Sequence, residues 1–302
     1  MSAILKVENL NVTLRHRRVS KKLVEDVSFE VHPGECLGIL GESGSGKSMT
    51  VKSVLGLLDK NFQVSGSAIF DGQDLLKETK EELRRLRGSR ITMVLQNPMT
   101  CFDPLYRIGN QMAETFATHT SWNVQEIRSR CLEILDQMRI RNGEEVLEKY
   151  PHQLSGGMLQ RIMIGIAMAL QPELLIADEP TTAIDAITQY EILEEFIRIK
   201  KQKNTAMLFI THDLGAISKV ADRILVMNSG QIVDSGDFEH IRNHANDPGF
   251  AVEKWTLGEA AFDAQWGMFR VKLQAHCRGW LVARTQESGE IVGFAVKGEV
   301  VL

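Results

Sequence analysis

Apolar and polar positions change rhythm along the chain. The opening residues alternate loosely, with Ile4, Val7, Leu10, Val12 and Leu14 apolar. The stretch Leu23–Val31 (LVEDVSFEV) repeats that alternation at Val24, Val27, Phe29 and Val31. A period near two turns one side to a core and the other to water, so both segments predict strands of a partly exposed sheet. Pro33-Gly34 then makes a turn. Cys36–Leu40 (CLGIL) is apolar without a break, and so are Leu174–Ala177 and Ala206–Ile210. Unbroken runs of that length suit parallel strands buried on both faces. Helix-like stretches lie between them, beginning with Ser48–Leu58. Strands alternating with helices predict a parallel sheet covered on both sides. Residues 106–170 break the alternation. Arg107–His119, Val124–Met138 and Gly157–Leu170 read as helices with no strand between them, a helical insertion between halves of one sheet.

The character changes again after about residue 244. Trp255, Trp266 and Trp280, three of the four tryptophans, lie beyond that point. Met268–Ala275, Trp280–Arg284 and Ile291–Val296 read as short strands, with Ser288-Gly289 as a turn between the last two.

Composition narrows the class. A chain of 302 residues allows one large domain or two modest ones. With 35 Lys plus Arg against 39 Asp plus Glu, the formal charge is −4, which argues against nucleic-acid binding by bulk charge. Apolar residues make 43% and charged residues 25%, as in ordinary globular proteins and unlike disordered ones. The longest uninterrupted apolar stretch, Ile162–Leu170, is far short of the roughly 20 residues that span a bilayer. The first residues, MSAILKVENL, carry no secretory pattern. Cys36, Cys101, Cys131 and Cys277 are scattered without ligand-like spacing, so neither disulfides nor a cysteine metal site is expected, and a reducing cytoplasm fits.

Candidate chemistry begins at Gly41-Glu42-Ser43-Gly44-Ser45-Gly46-Lys47-Ser48, which matches G-x-x-x-x-G-K-[ST] in full. Backbone N–H groups must converge on a polyphosphate, and Gly41, Gly44 and Gly46 let the loop curl that tightly, with Ser43, Ser45 and Met49 contributing backbone. The following helix N-terminus adds its positive dipole end. Lys47 is placed to reach the β- and γ-phosphates and Ser48 to ligate Mg²⁺. The motif follows a buried strand and opens a helix, the context that separates it from a chance glycine turn. Leu174–Glu179 is an apolar strand ending in two acids. Asp178 suits the Mg²⁺ shell, and Glu179 is placed to polarise a water against the γ-phosphate.

Leu154-Ser155-Gly156-Gly157-Met158-Leu159-Gln160-Arg161 resembles the signature motif of ATP-binding cassette (ABC) ATPases, and it stands about twenty residues before Asp178-Glu179 as in that family. Gln96 resembles the Q-loop glutamine, Ala183-Ile184-Asp185 the D-loop, and His212 the switch histidine, over about residues 1–236. The resemblance implies an α/β fold: a P-loop NTPase (RecA-like) core, an antiparallel β-subdomain and a helical ABC subdomain at about 97–170. It implies a nucleotide-binding domain at 1–244 and leaves 245–302 as an extension of unknown structure. It further implies two cassettes sandwiching two ATP molecules. Lys47, Ser48, Gln96, Asp178, Glu179 and His212 of one subunit would face each ATP, with Ser48, Gln96 and Asp178 around Mg²⁺. Ser155 and Gly157 of the other subunit would touch the γ-phosphate. Asp185 would line the interface, a role compatible with capping the following helix.

Two positions depart from the family pattern. No aromatic residue stands between Met1 and Phe29 to stack on adenine; Leu14, His16 or Arg18 would fill that place. Met49 follows Ser48 where many relatives carry a hydroxyl, so only its backbone is left to contact the α-phosphate.

Gln96-Asn97-Pro98 with Phe102-Asp103-Pro104 resembles the oligopeptide/dipeptide/nickel importer branch, and Met158-Leu159-Gln160 is most like its nickel-import members. That similarity implies ATP hydrolysis powering uptake of nickel or a related metal chelate. The partners would be separate permease subunits, a same or homologous second ATPase and, indirectly, an extracytoplasmic solute-binding protein. The place would be the cytoplasmic face of a bacterial inner membrane, with no nucleic acid involved. Oligopeptide or dipeptide import, and service to an enzyme complex such as carbon–phosphorus lyase machinery, are the alternatives. His240 and His244, four apart near Glu239 and Asp247, invite a metal reading but lack a third ligand and read as a solvated helix face. The tail keeps only Pro248 of the branch's usual continuation, and reads as a regulatory β-module, a variable extension or the product of an altered reading frame.

Overall fold

Two sheets are built from the two rhythms. The structure is a computed structural model and describes residues 2–16, 19–182, 186–203 and 205–244, with four further segments at 260–263, 268–271, 280–284 and 291–296. The elements in order are β1 (Leu5–His16), β2 (Val19–Val31), β3 (Cys36–Leu40), α1 (Lys47–Val54), β4 (Phe62–Phe70), β5 (Gln73–Asp74), α2 (Lys80–Leu86) and β6 (Ile91–Val94). Then follow α3 (Ile108–His119), α4 (Val124–Gln137), α5 (Gly143–Leu147) and α6 (Gly156–Ala169) with no strand between them. The chain continues with β7 (Leu174–Asp178), α7 (Ala186–Lys203), β8 (Ala206–Thr211), α8 (Leu214–Val220), β9 (Arg223–Asn228), β10 (Gln231–Gly236) and α9 (Phe238–His244).

The alternating strands join an antiparallel sheet in the order β2-β1-β4-β5. The continuous apolar runs form the middle of a second sheet, β10-β9-β3-β8-β7-β6. It is parallel from β9 to β6, with β10 antiparallel at the edge. Burial on both faces explains their composition. In β3, Cys36 joins a core shared with the helices α3, α4 and α6, while Leu37 and Ile39 join a second core beneath the antiparallel sheet and α1.

Several elements lie beyond the pattern reading. β4 is interrupted by Ser65, Gly66 and Ser67 and is half exposed. α2 buries only Leu83 and is set by a capping box in which Thr79 and Glu82 satisfy each other's backbone N–H. The helix expected at Ser48–Leu58 stops at Val54. Gly56 adopts φ +60°, and the amides of Gly56 and Leu57 turn back onto Ser53 and Lys52, which closes the helix with a left-handed glycine.

Beyond residue 259, β11 (Ala260–Asp263) pairs with β12 (Met268–Val271), and β13 (Trp280–Arg284) pairs with β14 (Ile291–Val296), both antiparallel. The last two have the limits expected from their composition. The rest of the expected Met268–Ala275 strand and the Ser288-Gly289 turn lie outside the described residues.

Candidate functional site

Adjacent parallel strands β3, β8, β7 and β6 deliver their carboxyl ends to one rim of the sheet. Beyond β3 comes the glycine loop with Lys47 and Ser48, beyond β8 His212, beyond β7 Glu179, and beyond β6 Gln96. A rim of this kind is where open α/β sheets bind ligands. Residues far apart in sequence meet there because each strand is short, buried and held in register by its neighbours.

The loop needs its glycines for stated reasons. Gly44 and Gly46 have φ of +86° and +104°, a region costly for other residues. A Cβ at Gly41 would lie 2.3 Å from the Met227 carbonyl oxygen. Lys47 is almost fully buried (3% exposed) and its Nζ donates to the carbonyls of Gly41, at 2.7 Å, and Glu42, at 2.8 Å. Burial in this loop lowers the Lys47 pKa.

Glu179 is the centre of the cluster. Its Oε2 accepts from Gln96 Nε2 at 3.0 Å and Thr182 Oγ1 at 3.0 Å, and lies 3.3 Å from His212 Nδ1. Its Oε1 lies 3.8 Å from Lys47 Nζ. The hydrogen bond from His212 is the largest influence holding its carboxyl below the ordinary range, and the same bond raises the His212 pKa. Asp178 differs: burial is the largest influence and raises its pKa, although Ser48 Oγ donates to Oδ1 at 2.7 Å. Glu179 has φ +47°, a left-handed conformation that is strained in a residue with a Cβ. Its backbone N–H donates to the Ile210 carbonyl at 2.9 Å, anchoring the corner to β8. Asp213 caps α8 just after His212, accepting from the amides of Gly215 and Ala216. That cap fixes where the histidine leaves the sheet.

The donor set suits a magnesium nucleotide. Ser48 Oγ and Asp178 Oδ1 are hard oxygen donors side by side. Ser45 Oγ is buried within the loop and has no hydrogen-bond partner among the described residues, and the loop's N–H groups precede a helix start.

Ser155 and Gly157 keep other company. Ser155 is the N-cap of α6, its Oγ accepting from Met158 N at 3.2 Å. A Cβ at Gly156 would meet nothing within 4 Å, and one at Gly157 would meet Thr188 Cγ2 at 3.4 Å. Met49 packs against the second core, beneath the antiparallel sheet. Leu14 pairs with Lys21 and Phe62 in the antiparallel sheet. Arg18, the His16 side chain and Asp185 lie outside the described residues. His240 Nε2 faces Asp234 Oδ1 at 3.0 Å, and the His244 side chain is outside the described residues. Among the described residues no group of three His, Cys, Asp or Glu side chains is arranged to hold a metal ion. Thr182 and Gln160 belong to the site's framework, although the sequence pattern assigns neither a role. Each stands inside or beside a motif that carries the chemistry, and that position is their only sequence signal.

A cleft of about 660 Å³ opens between the sheet and the helices. Leu57, Phe102, Tyr106, His119 and Met163 are among its walls. Leu105 and Tyr106 stand exposed at 78% and 57%, with Met99 nearby in sequence at 46%. Among the described residues no helix is long and apolar enough to cross a membrane.

The chain is similar to known proteins in sequence and in fold. The family model described as ABC transporter matches residues 24–182. The metal-staphylopine import system ATP-binding protein of Staphylococcus aureus (strain NCTC 8325) is 47% identical over 241 residues, covering 80% of this chain and 88% of the relative. The oligopeptide transport ATP-binding protein of Lactococcus lactis subsp. cremoris is 40% identical over 246 residues, covering 81% and 73%. Among solved structures, a dimeric ATP-binding cassette bound to ADP and Pi in a post-hydrolysis state superposes with a TM-score of 0.70 at 24% identity. That match covers 78% of this chain and 98% of the other.

Proposed function

The chain belongs to the ABC transporter ATP-binding family, as an ATP-hydrolysing subunit of an importer that uses ATP with Mg²⁺, and from that premise we propose that its cargo is a transition metal, nickel or a relative, carried as a chelate. The observation behind the motor role is the carboxylate of Glu179 held between Lys47, Gln96 and His212. Glu179 orients a water at the γ-phosphate and takes its proton as the water oxygen bonds to phosphorus. The bond from the γ-phosphorus to the bridging oxygen breaks, and ADP leaves with that oxygen. His212, bound to the same carboxylate, steadies it through the transfer. Lys47 meets the β- and γ-phosphates as a buried cation. Ser48, Asp178 and Gln96 would hold Mg²⁺, which neutralises phosphate charge. Ser155 and Gly157, at the start of α6, would meet the nucleotide of a second cassette, same or homologous.

The nucleotide-binding unit is residues 1–244, with 97–170 its helical part and 245–302 an extension. Tyr106 on the cleft wall and the exposed Leu105 beside it in sequence would receive a permease segment, and the chain would then sit peripherally on the cytoplasmic face of the membrane. A solute-binding protein outside selects the cargo.

The metal reading is supported by the 47% identity to the metal-staphylopine subunit. Peptide import is the second reading, favoured by the oligopeptide relative at 40%. Uptake of radiolabelled nickel, with and without an amino-carboxylate chelator, separates them. Cells lacking the gene should lose uptake, and wild type but not Glu179→Gln should restore it. Unchanged nickel uptake together with lost uptake of a labelled tripeptide would overturn the metal reading.

A further inference from the structure

Gln160 lies on the second turn of α6, only 1% exposed. Its Nε2 donates to the Pro180 carbonyl at 2.8 Å, across 20 residues of sequence. Its Oε1 is buried with no partner among the described residues. A buried amide with an orphan carbonyl is a poor way to stabilise a fold, since an unmatched polar group costs about 1–3 kcal/mol. An apolar side chain of the same size would pack without that cost. What the amide achieves is a directed bond to one peptide group.

That peptide group follows Glu179. The corner at 179–180 is strained, with Glu179 at φ +47° and a proline next. Strain of this kind persists only when the surroundings hold it. Two backbone bonds hold one side, Glu179 N–H to the Ile210 carbonyl and Thr182 N–H to the Glu179 carbonyl. The Gln160 amide holds the Pro180 carbonyl from the other side, and it comes from the helix headed by Ser155, Gly156 and Gly157. The same turn of α6 is fastened to α7 as well: Arg161 faces Glu191 at 3.2 Å and reaches Thr188 Oγ1 at 3.5 Å.

We infer that Gln160 is a positioning residue that transmits the placement of the α6 N-terminus to the Glu179 carboxylate of the same subunit. The inference rests on the reading that Ser155 and Gly157 meet a second cassette's nucleotide. Closure on that nucleotide seats α6, and the Gln160–Pro180 bond then sets Glu179 for hydrolysis. One subunit's catalytic carboxylate thereby responds to occupancy of the opposite site.

The test replaces Gln160 in the full chain, assembled with its partner cassette and permease. Gln160→Met keeps the volume and removes the donor. Gln160→Glu keeps the shape and sets an oxygen against the Pro180 carbonyl. ATPase kcat should fall about tenfold or more in both, since sub-ångström misplacement of a catalytic group has effects of that order. KM for ATP should stay within about twofold and the thermal midpoint of the Met variant should not fall, a split that loss of packing alone would not give. Wild-type kcat in Gln160→Met, or an equal rise in KM, overturns the inference. Should one variant fail to fold, the other decides. A parallel control in a Glu179→Gln background follows ATP-induced association of the two cassettes. If Glu179→Gln alone shows none, the cassette-sandwich reading fails. If it associates and kcat of Gln160→Met is unchanged, only the Gln160 inference fails.

Discussion

Glu179 shows how one side chain gathers its environment. Its Oε2 takes donors from Gln96 and Thr182 and faces the His212 ring, while its backbone is bent into a left-handed corner. The pair it makes with His212 has a testable pH signature. Glu179 titrates below its ordinary 4.5 in the folded protein, so its stabilisation is present above that value and is lost as pH falls through the folded pKa. His212 titrates above its ordinary 6.5, so its stabilisation is full below that value and is lost as pH rises through the folded pKa. Thermal midpoints of the nucleotide-free wild type and His212→Gln should therefore differ most near about pH 5.5 and converge toward about pH 9. A gap that does not change over that range would show that the ion pair contributes nothing to folding.

The elements succeed or fail by how closely they pack. β3 carries the glycine loop, and its own Gly38 is where α8 crosses it. A Cβ at Gly38 would lie 2.5 Å from Ile217 Cδ1 and 3.0 Å from the Ala221 Cβ. Gly38→Ala should therefore cost about 1–3 kcal/mol through overpacking, lowering the denaturant midpoint without changing its slope. Retained stability would mean that α8 shifts freely, against the anchoring of its start by the Asp213 cap. The helices α3, α4 and α6 bury apolar faces together, Met112, Phe116, Ile134, Leu135 and Leu159 among them, and so hold α6 at a definite angle to the sheet. α4 is also set by the Asn123 cap and its Glu126 partner.

For the whole molecule, the nucleotide rim and the cleft walled by Tyr106, with Leu105 exposed next to it in sequence, share no residues. If the cleft receives the permease, Leu105→Asp should abolish co-purification with the membrane subunits and leave ATPase activity of the isolated subunit within about twofold, because surface substitutions seldom disturb folding. Co-purification at wild-type levels would move the docking surface elsewhere.

Much of the fold is legible in the amino-acid sequence. The unbroken apolar runs at Cys36–Leu40, Leu174–Ala177 and Ala206–Ile210 are the central strands, because burial on both faces leaves no room for polar alternation. The phosphate loop and the acidic pair are readable because the chemistry is local to each segment. The strands β4, β9 and β10 and the helices α2 and α5 do not emerge from the pattern. β4 is interrupted by Ser and Gly, and α2 is polar and set by its cap. By itself, then, the sequence determined the class of machine, since a loop that cradles phosphate and a strand that ends in carboxylates each carry their own geometry. Only the tertiary structure decided which donors share Glu179 Oε2, that Gln160 grips Pro180, and that Glu179 is strained. Gln96 meets Glu179 across 83 residues of sequence, and no local pattern encodes such a meeting. It follows from the order in which the buried strands β6, β7, β8 and β3 lie side by side.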